Sequence, residues 1–117
     1  MSLFGFLKGS GVTPTAAKEM VDDGALLLDV RESQEWNAGH AAVATHIPAG
    51  SVPGRLNRLS KERKVVVVCR SGNRSSQVVR LLKSNGYDAL NLSGGMNAWQ
   101  RAGLNIVDRK GRPGRVA

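Results

Sequence analysis

The chain has 117 residues, 41% hydrophobic and 22% charged, with a net charge of +8. That length and balance fit one soluble globular domain with a modest core. The single cysteine rules out an internal disulfide, and no stretch reaches the ~20 apolar residues of a membrane span.

The excess of basic residues suits an anionic substrate or an acidic protein partner. With one Tyr, two Phe and two Trp, and no interleaving of basic and aromatic residues, nucleic acid is not an expected partner. The opening apolar residues are too few for a signal peptide, so the cytoplasm is the expected location.

Residues 1–11 read as a leader, with Leu3, Phe4, Phe6 and Leu7 free to pack on the domain edge. Thr13-Pro14 predicts a helix start, Thr as N-cap and Pro at the first helical position. That helix should run to about Val21 and stop at Asp22-Asp23-Gly24. Ala25-Leu26-Leu27-Leu28-Asp29-Val30 reads as a buried strand. Ser33 is placed to cap a short helical turn that carries Glu35 and Trp36. Residues 41–47 predict another strand, ended by Pro48. Arg55-Leu56-Asn57-Arg58-Leu59 predicts a short helix after a Gly- and Pro-containing loop.

Next, four valines, 65–68, run straight into Cys69. A continuous β-branched run fits a strand buried on both faces. A helix is predicted over 76–84, closed by Asn85-Gly86. Residues 87–92 predict a further strand, Ser93-Gly94-Gly95 a tight turn, and 96–102 a last helix stopped by Gly103. Residues 108–117, with Arg109, Lys110, Arg112 and Arg115, read as a flexible basic tail, which leaves 12–107 as the domain. Strands alternating with helices at short intervals indicate βαβ units and an α/β fold with a mainly parallel sheet.

Cys69 therefore sits at the carboxyl end of a strand, before a short polar loop and a helix. In open α/β sheets this is where ligands bind. Unpartnered N–H groups of the loop and of the first helical turn favour an anion there and lower the pKa of a thiol. Arg70 and Arg74 add cations, and Gly72 permits a tight turn. Arg74 could turn its guanidinium towards an oxyanion, while Ser71, Gly72, Asn73 and Ser75 would act mainly through their backbone N–H groups. Asp29 and Arg31 are expected to be a supporting pair beside the site, together with Glu35. His40 and His46 fit no common zinc spacing with Cys69, and His40 reads as a hydrogen-bonded structural residue. Trp36 and Trp99 read as core or rim packing.

Taken together, Asp29-Val30-Arg31, Glu35-Trp36, Gly39-His40, His46-Ile47-Pro48, the loop from Cys69 to Ser75, Leu92 with Gly94-Gly95-Met96, Ala98-Trp99 and Gly103 form an ordered set. In this order on a βα pattern, the chain resembles a single-domain rhodanese, a sulfurtransferase, over residues 13–107. The resemblance implies a five-stranded, mainly parallel sheet flanked by helices on both faces. It implies that Cys69 takes a sulfane sulfur from an anionic donor as a persulfide and passes it to a thiol or protein acceptor, with cyanide as the assay acceptor. It also implies that the residues from Cys69 to Arg74 cradle the outer sulfur, and it asks for no cofactor and no metal.

Two departures stand out. Ala41 and Val43 replace the large aliphatic residue and the glycine usual after the Gly-His pair. Ser71 stands where thiosulfate-favouring members often carry a lysine, so the resemblance does not single out thiosulfate as the donor.

Two other classes compete. A cysteine phosphatase or arsenate reductase needs five residues between Cys and Arg, whereas four separate Cys69 from Arg74. A non-catalytic partner-binding or redox-sensing module would use the basic surface alone.

Overall fold

The computed structural model of the chain describes residues 7–8 and 11–117. Among the described residues six strands form one sheet: β1 (Leu7–Lys8), β2 (Gly11–Val12), β3 (Leu26–Asp29), β4 (Thr45–His46), β5 (Val65–Val68) and β6 (Ala89–Leu92). Their order across the sheet is β1-β2-β6-β5-β3-β4. Five of the strands are mutually parallel, and β1 adds to the edge in antiparallel fashion against β2. The parallel five-stranded sheet is the one expected, with a short edge pair added at its start. The expected packing of Leu3, Phe4 and Phe6 lies outside the described residues. Leu7 lies in β1, and the leader boundary drawn at Gly11 falls inside β2.

Four α-helices cover the sheet: α1 (Pro14–Asp22), α2 (Ser33–Ala38), α3 (Asn73–Ser84) and α4 (Gly95–Arg101). The reason they lie on both faces is visible in β5. Successive side chains of a strand point to opposite faces. Val65 and Val67 therefore pack with Val78, Val79 and Leu82 of α3. Val66 and Val68 pack with Ala16 and Ala17 of α1 and Met96 and Trp99 of α4. All four valines are fully buried, each contributing about 2 kcal/mol of burial. Among the described residues no helix is long and apolar enough to cross a membrane.

Several elements differ from the sequence expectation. The first helix is capped by Thr13, whose Oγ1 accepts from the N–H of Ala16, as expected. The second is capped by Glu32, not Ser33: Glu32 and Glu35 form a reciprocal capping box. The strand expected over 41–47 is reduced to Thr45–His46, because the N–H of Ala44 donates to the carbonyl of Ala41 and closes a turn first. Val43, one of the two departures from the family pattern, stands exposed in that turn. The short helix expected at 55–59 is a 3-10 helix, Pro53–Arg58, and the loop expected before it holds a 3-10 turn at Ala49–Ser51.

The basic segment 108–117, though mostly exposed, folds back on the domain by hydrogen bonds. Asp108 accepts from the N–H groups of Lys110 and Arg112 and closes a turn. The chain then runs back past α2, where the N–H of Arg115 donates to Ala38, and reaches α4, where the N–H of Val116 donates to Gln100. Gly114 permits this close approach: a Cβ there would lie 2.7 Å from the backbone of Val107 and Asp108. A stretch rich in Gly and Arg therefore reads as flexible but folds back, because its contacts are backbone contacts with distant elements.

Candidate active site at the end of the central strand

Cys69 follows β5, the middle strand of the five parallel ones. Helix α3 begins three residues earlier than the apolar periodicity suggests, at Asn73, with Gly72 as N-cap at φ 118°. Asn73, Arg74 and Ser75 thus form the first helical turn, and the true loop is only Arg70-Ser71-Gly72. The loop is bounded on its other side by α4. The N–H of Met96 donates to the carbonyl of Cys69 at 2.8 Å, and that of Asn97 to the carbonyl of Arg70 at 3.1 Å. In a trans peptide the N–H points opposite to the C=O. Tying these two carbonyls to α4 turns the N–H groups of Arg70 and Ser71 the other way, into the loop.

The sulfur is the focus of this arrangement. The N–H of Gly72 donates to Sγ at 3.0 Å, and the Ser75 hydroxyl lies 3.2 Å from it. Burial, the largest single influence, pushes the thiol pKa up. The Ser75 hydroxyl and the N–H groups of Ser75, Gly72 and Ser71 outweigh it, and the pKa falls below the ordinary value. Cys69 is only 1% exposed, deeper than an open cradle would require. Arg70, Ser71 and Asn73 beside it are exposed.

The two arginines do not act alike. Arg74 makes a bidentate pair with Glu35 of α2, at 2.8 and 3.0 Å, so its guanidinium is not free to turn on an oxyanion as expected. Arg70 is exposed, with its Nε donating to the carbonyl of Ala117. Glu35 is expected in the Asp29–Arg31 network, but its carboxylate accepts from the Arg74 guanidinium and from the N–H of Glu32 instead. The Arg74 guanidinium is the main reason its pKa falls to about 2 from an ordinary 4.5.

The sign of the linkage follows. A carboxylate with a depressed folded pKa contributes stability above its unfolded pKa and loses it as pH falls through the folded one. The pair should therefore stabilise the fold above about pH 4.5 and stop doing so near pH 2. Because the Arg74 side chain is 39% exposed, Glu35→Gln should cost no more than about 1 kcal/mol at neutral pH. The same change should flatten the fall in thermal stability between pH 4.5 and 2, as read by melting curves of both proteins. An unchanged slope would remove Glu35 as its source.

Asp29 and Arg31 are wholly buried and bonded to each other. Arg31 also donates to the carbonyl of Gly39, and its own carbonyl accepts from Nε2 of His46. The pair thus ties the end of β3 to α2 and β4. The Arg31 backbone N–H, Nε and Nη2 occupy both oxygens of Asp29, which makes the pair a structural tie. His40 donates from Nδ1 to the carbonyl of Trp36, in keeping with its structural reading. Trp36 stacks on His40 at 3.5 Å and on His46 at 4.8 Å, a three-ring stack that no local pattern announces. Trp99 is core, with its indole N–H donating to Asn105.

The sequence reading missed Asn91. It lies in β6, and its side chain reaches both Gly72 and Ser75. A polar residue between two leucines in a sheet-interior strand was the available signal.

Known proteins carry the same framework. The rhodanese-like domain family model matches residues 13–102. A sulfurtransferase of Allochromatium vinosum is 42% identical, over 74% of this chain and 81% of that protein. A thiosulfate sulfurtransferase of Actinobacillus pleuropneumoniae is 30% identical, over 81% of this chain and 90% of that protein. The crystal structure of a rhodanese-like domain protein from Staphylococcus aureus superposes with a TM-score of 0.72 at 35% identity, covering 77% of this chain and 90% of that one. With most of its length matched by that model and its parallel sheet shared with that structure, this chain belongs to the rhodanese-like domain family.

Proposed function

We propose that the protein is a cytoplasmic sulfurtransferase with Cys69 as its sulfur-carrying nucleophile. The Cys69 thiolate attacks the sulfane sulfur of an anionic donor. A new S–S bond forms at Sγ, the donor's own bond to that sulfur breaks, and its electron pair leaves with sulfite (from thiosulfate) or with a thiolate (from a persulfide). The negative charge now rests on the outer sulfur, where the N–H groups of Arg70 to Arg74 receive it. Attack by an acceptor thiolate, or by cyanide in assay, removes the outer sulfur and restores the Cys69 thiolate.

The observation that carries this reading is the hydrogen bond from the Gly72 N–H to Sγ, within a loop whose carbonyls are drawn away by α4. Arg70, Ser71 and Gly72 of the loop, with Asn73, Arg74 and Ser75 of the first turn of α3, form the substrate-binding segment. Arg70 supplies the cation nearest in sequence to the nucleophile, Arg74 shapes the loop through Glu35, and Asp29 with Arg31 supports it from below. The names of the two sulfurtransferase relatives agree with this chemistry. The spacing of Cys69 and Arg74 leaves the loop one residue short of an oxyanion cradle for phosphate or arsenate.

The test is mass spectrometry of the intact protein after exposure to thiosulfate or to a small-molecule persulfide. The expected result is one added sulfur atom on Cys69, removed by cyanide or a thiol and absent in Cys69→Ala. Absence of the adduct with both donors, or its persistence in Cys69→Ala, would overturn the reading.

A further inference from the structure

Asn91 is the one polar side chain of β6 that reaches beneath the cysteine loop. Its Nδ2 donates to the carbonyl of Gly72 at 3.2 Å, and its Oδ1 accepts from the Ser75 hydroxyl at 2.5 Å. Ser75 is fully buried, and its Oγ is also 3.2 Å from Sγ and 3.1 Å from the carbonyl of Gly72. A hydroxyl has a single proton to give. Three acceptors thus compete for it: Sγ, the Gly72 carbonyl and Asn91 Oδ1. The Gly72 carbonyl already receives the N–H of Ser76 and Nδ2 of Asn91. Because Nδ2 is committed there, the amide cannot flip without facing oxygen to oxygen, and Oδ1 stays turned to Ser75.

The competition has a consequence for the reaction proposed above, on which this inference rests. In the resting thiolate the charge is on Sγ, and the hydroxyl proton belongs there. In the persulfide Sγ is an uncharged divalent sulfur and a poor acceptor, and the charge is on the outer sulfur among the loop N–H groups. We propose that Asn91 is a positioning residue for Cys69: its Oδ1 accepts the hydrogen bond of the Ser75 hydroxyl when charge leaves Sγ, and so biases the site toward the form with charge on the outer sulfur. Asn91 touches neither the donor nor the reacting atoms and acts through Ser75. The charged groups on the segments around the sulfur are Arg70 on the loop, Arg74 in the first turn of α3, Glu35 on α2 and the Asp29–Arg31 pair at the end of β3. All of them stay in place when Asn91 is changed.

The test titrates the Cys69 thiolate by its ultraviolet absorbance, and by its alkylation rate against pH, in the wild-type protein, Asn91→Leu, Ser75→Ala and the double variant. No sulfur donor is present, so the outcome does not depend on whether the protein transfers sulfur. Without Oδ1 the hydroxyl serves the thiolate unopposed, and Asn91→Leu should lower the Cys69 pKa by about 0.5 to 1. Ser75→Ala should raise it, and adding Asn91→Leu to Ser75→Ala should change nothing more. Asn91→Ala, which removes the same acceptor without adding bulk, should move the pKa in the same direction and serves if the leucine variant does not fold. An unchanged or raised pKa in the folded Asn91 variant would overturn the proposal. So would a shift that survives in the Ser75→Ala background, since Asn91 would then act by another route. A second reading follows the persulfide fraction at a fixed ratio of donor to product, which should fall in Asn91→Leu.

Discussion

Gly95→Ala should unseat the cysteine loop and remove most of the reactivity of Cys69, although residue 95 never contacts the sulfur. Gly95 has φ 59°, a left-handed conformation that costs a residue with a Cβ about 1 kcal/mol or more. The larger effect is steric. A Cβ at this position would lie only 2.4 Å from the carbonyl oxygen of Arg70 and 2.5 Å from that of Cys69. These are backbone atoms of the loop itself, with no flexible side chain to yield. They are also the carbonyls that α4 holds through Met96 and Asn97. Pushing them away releases the peptide orientation that aims the N–H groups at Sγ.

Strain and overpacking together should cost about 2–5 kcal/mol. Gly103→Ala is the control. Its φ is 76°, but nothing lies within 4 Å of a Cβ there. It should cost only the backbone strain and leave the alkylation rate of Cys69 unchanged. Urea unfolding and iodoacetamide alkylation of both variants check the pair. If Gly95→Ala alkylates at the wild-type rate, the packing of α4 does not orient the loop.

Arg31→Met should be the most destabilising single change at the carboxyl end of β3. Arg31 and Asp29 are both 0% exposed. Removing the guanidinium leaves a buried carboxylate without a counter-ion and the Gly39 carbonyl without its donor. Breaking a buried pair in this way costs about 3–5 kcal/mol, because desolvation is no longer offset. Replacing both partners by apolar residues avoids the lone charge. The double variant Asp29→Leu with Arg31→Met should therefore lose less stability than Arg31→Met alone. Denaturant midpoints for the wild type, both single variants and the double variant give the comparison. Additive losses would mean that the pair is not energetically coupled. Nη1 of Arg31 has no partner among the described residues, so the pair is not fully compensated even in the intact protein.

Local sequence was enough wherever the physics is local. Four successive valines bury both faces of a strand whichever neighbours they meet, so β5 and the position of Cys69 at its end could be read directly. Thr13-Pro14 caps a helix through contacts within one turn. The ordered motifs from Asp29 to Gly103 carried the family. What failed was also physical. Polar Asn73, Arg74 and Ser75 break the apolar periodicity, so periodicity alone starts α3 three residues late and makes the loop too long.

Pairing across the chain was out of reach of any local pattern. Residues 35 and 74 meet only because α2 and α3 are brought together over the end of the sheet. For this reason Arg74, which looks free for substrate in the sequence, is bound to Glu35 in the fold. Asn91 and Ser75 are 16 residues apart and meet because β6 lies beside β5. Residues 108–117 have the composition of a tail and are held by backbone bonds to elements dozens of residues away. Composition, periodicity and turn chemistry thus determined the class of fold and the place of the thiol. Only the packing of α2, α4 and β6 around the loop decided which groups face the sulfur, because a hydrogen bond depends on distance in space and not along the chain.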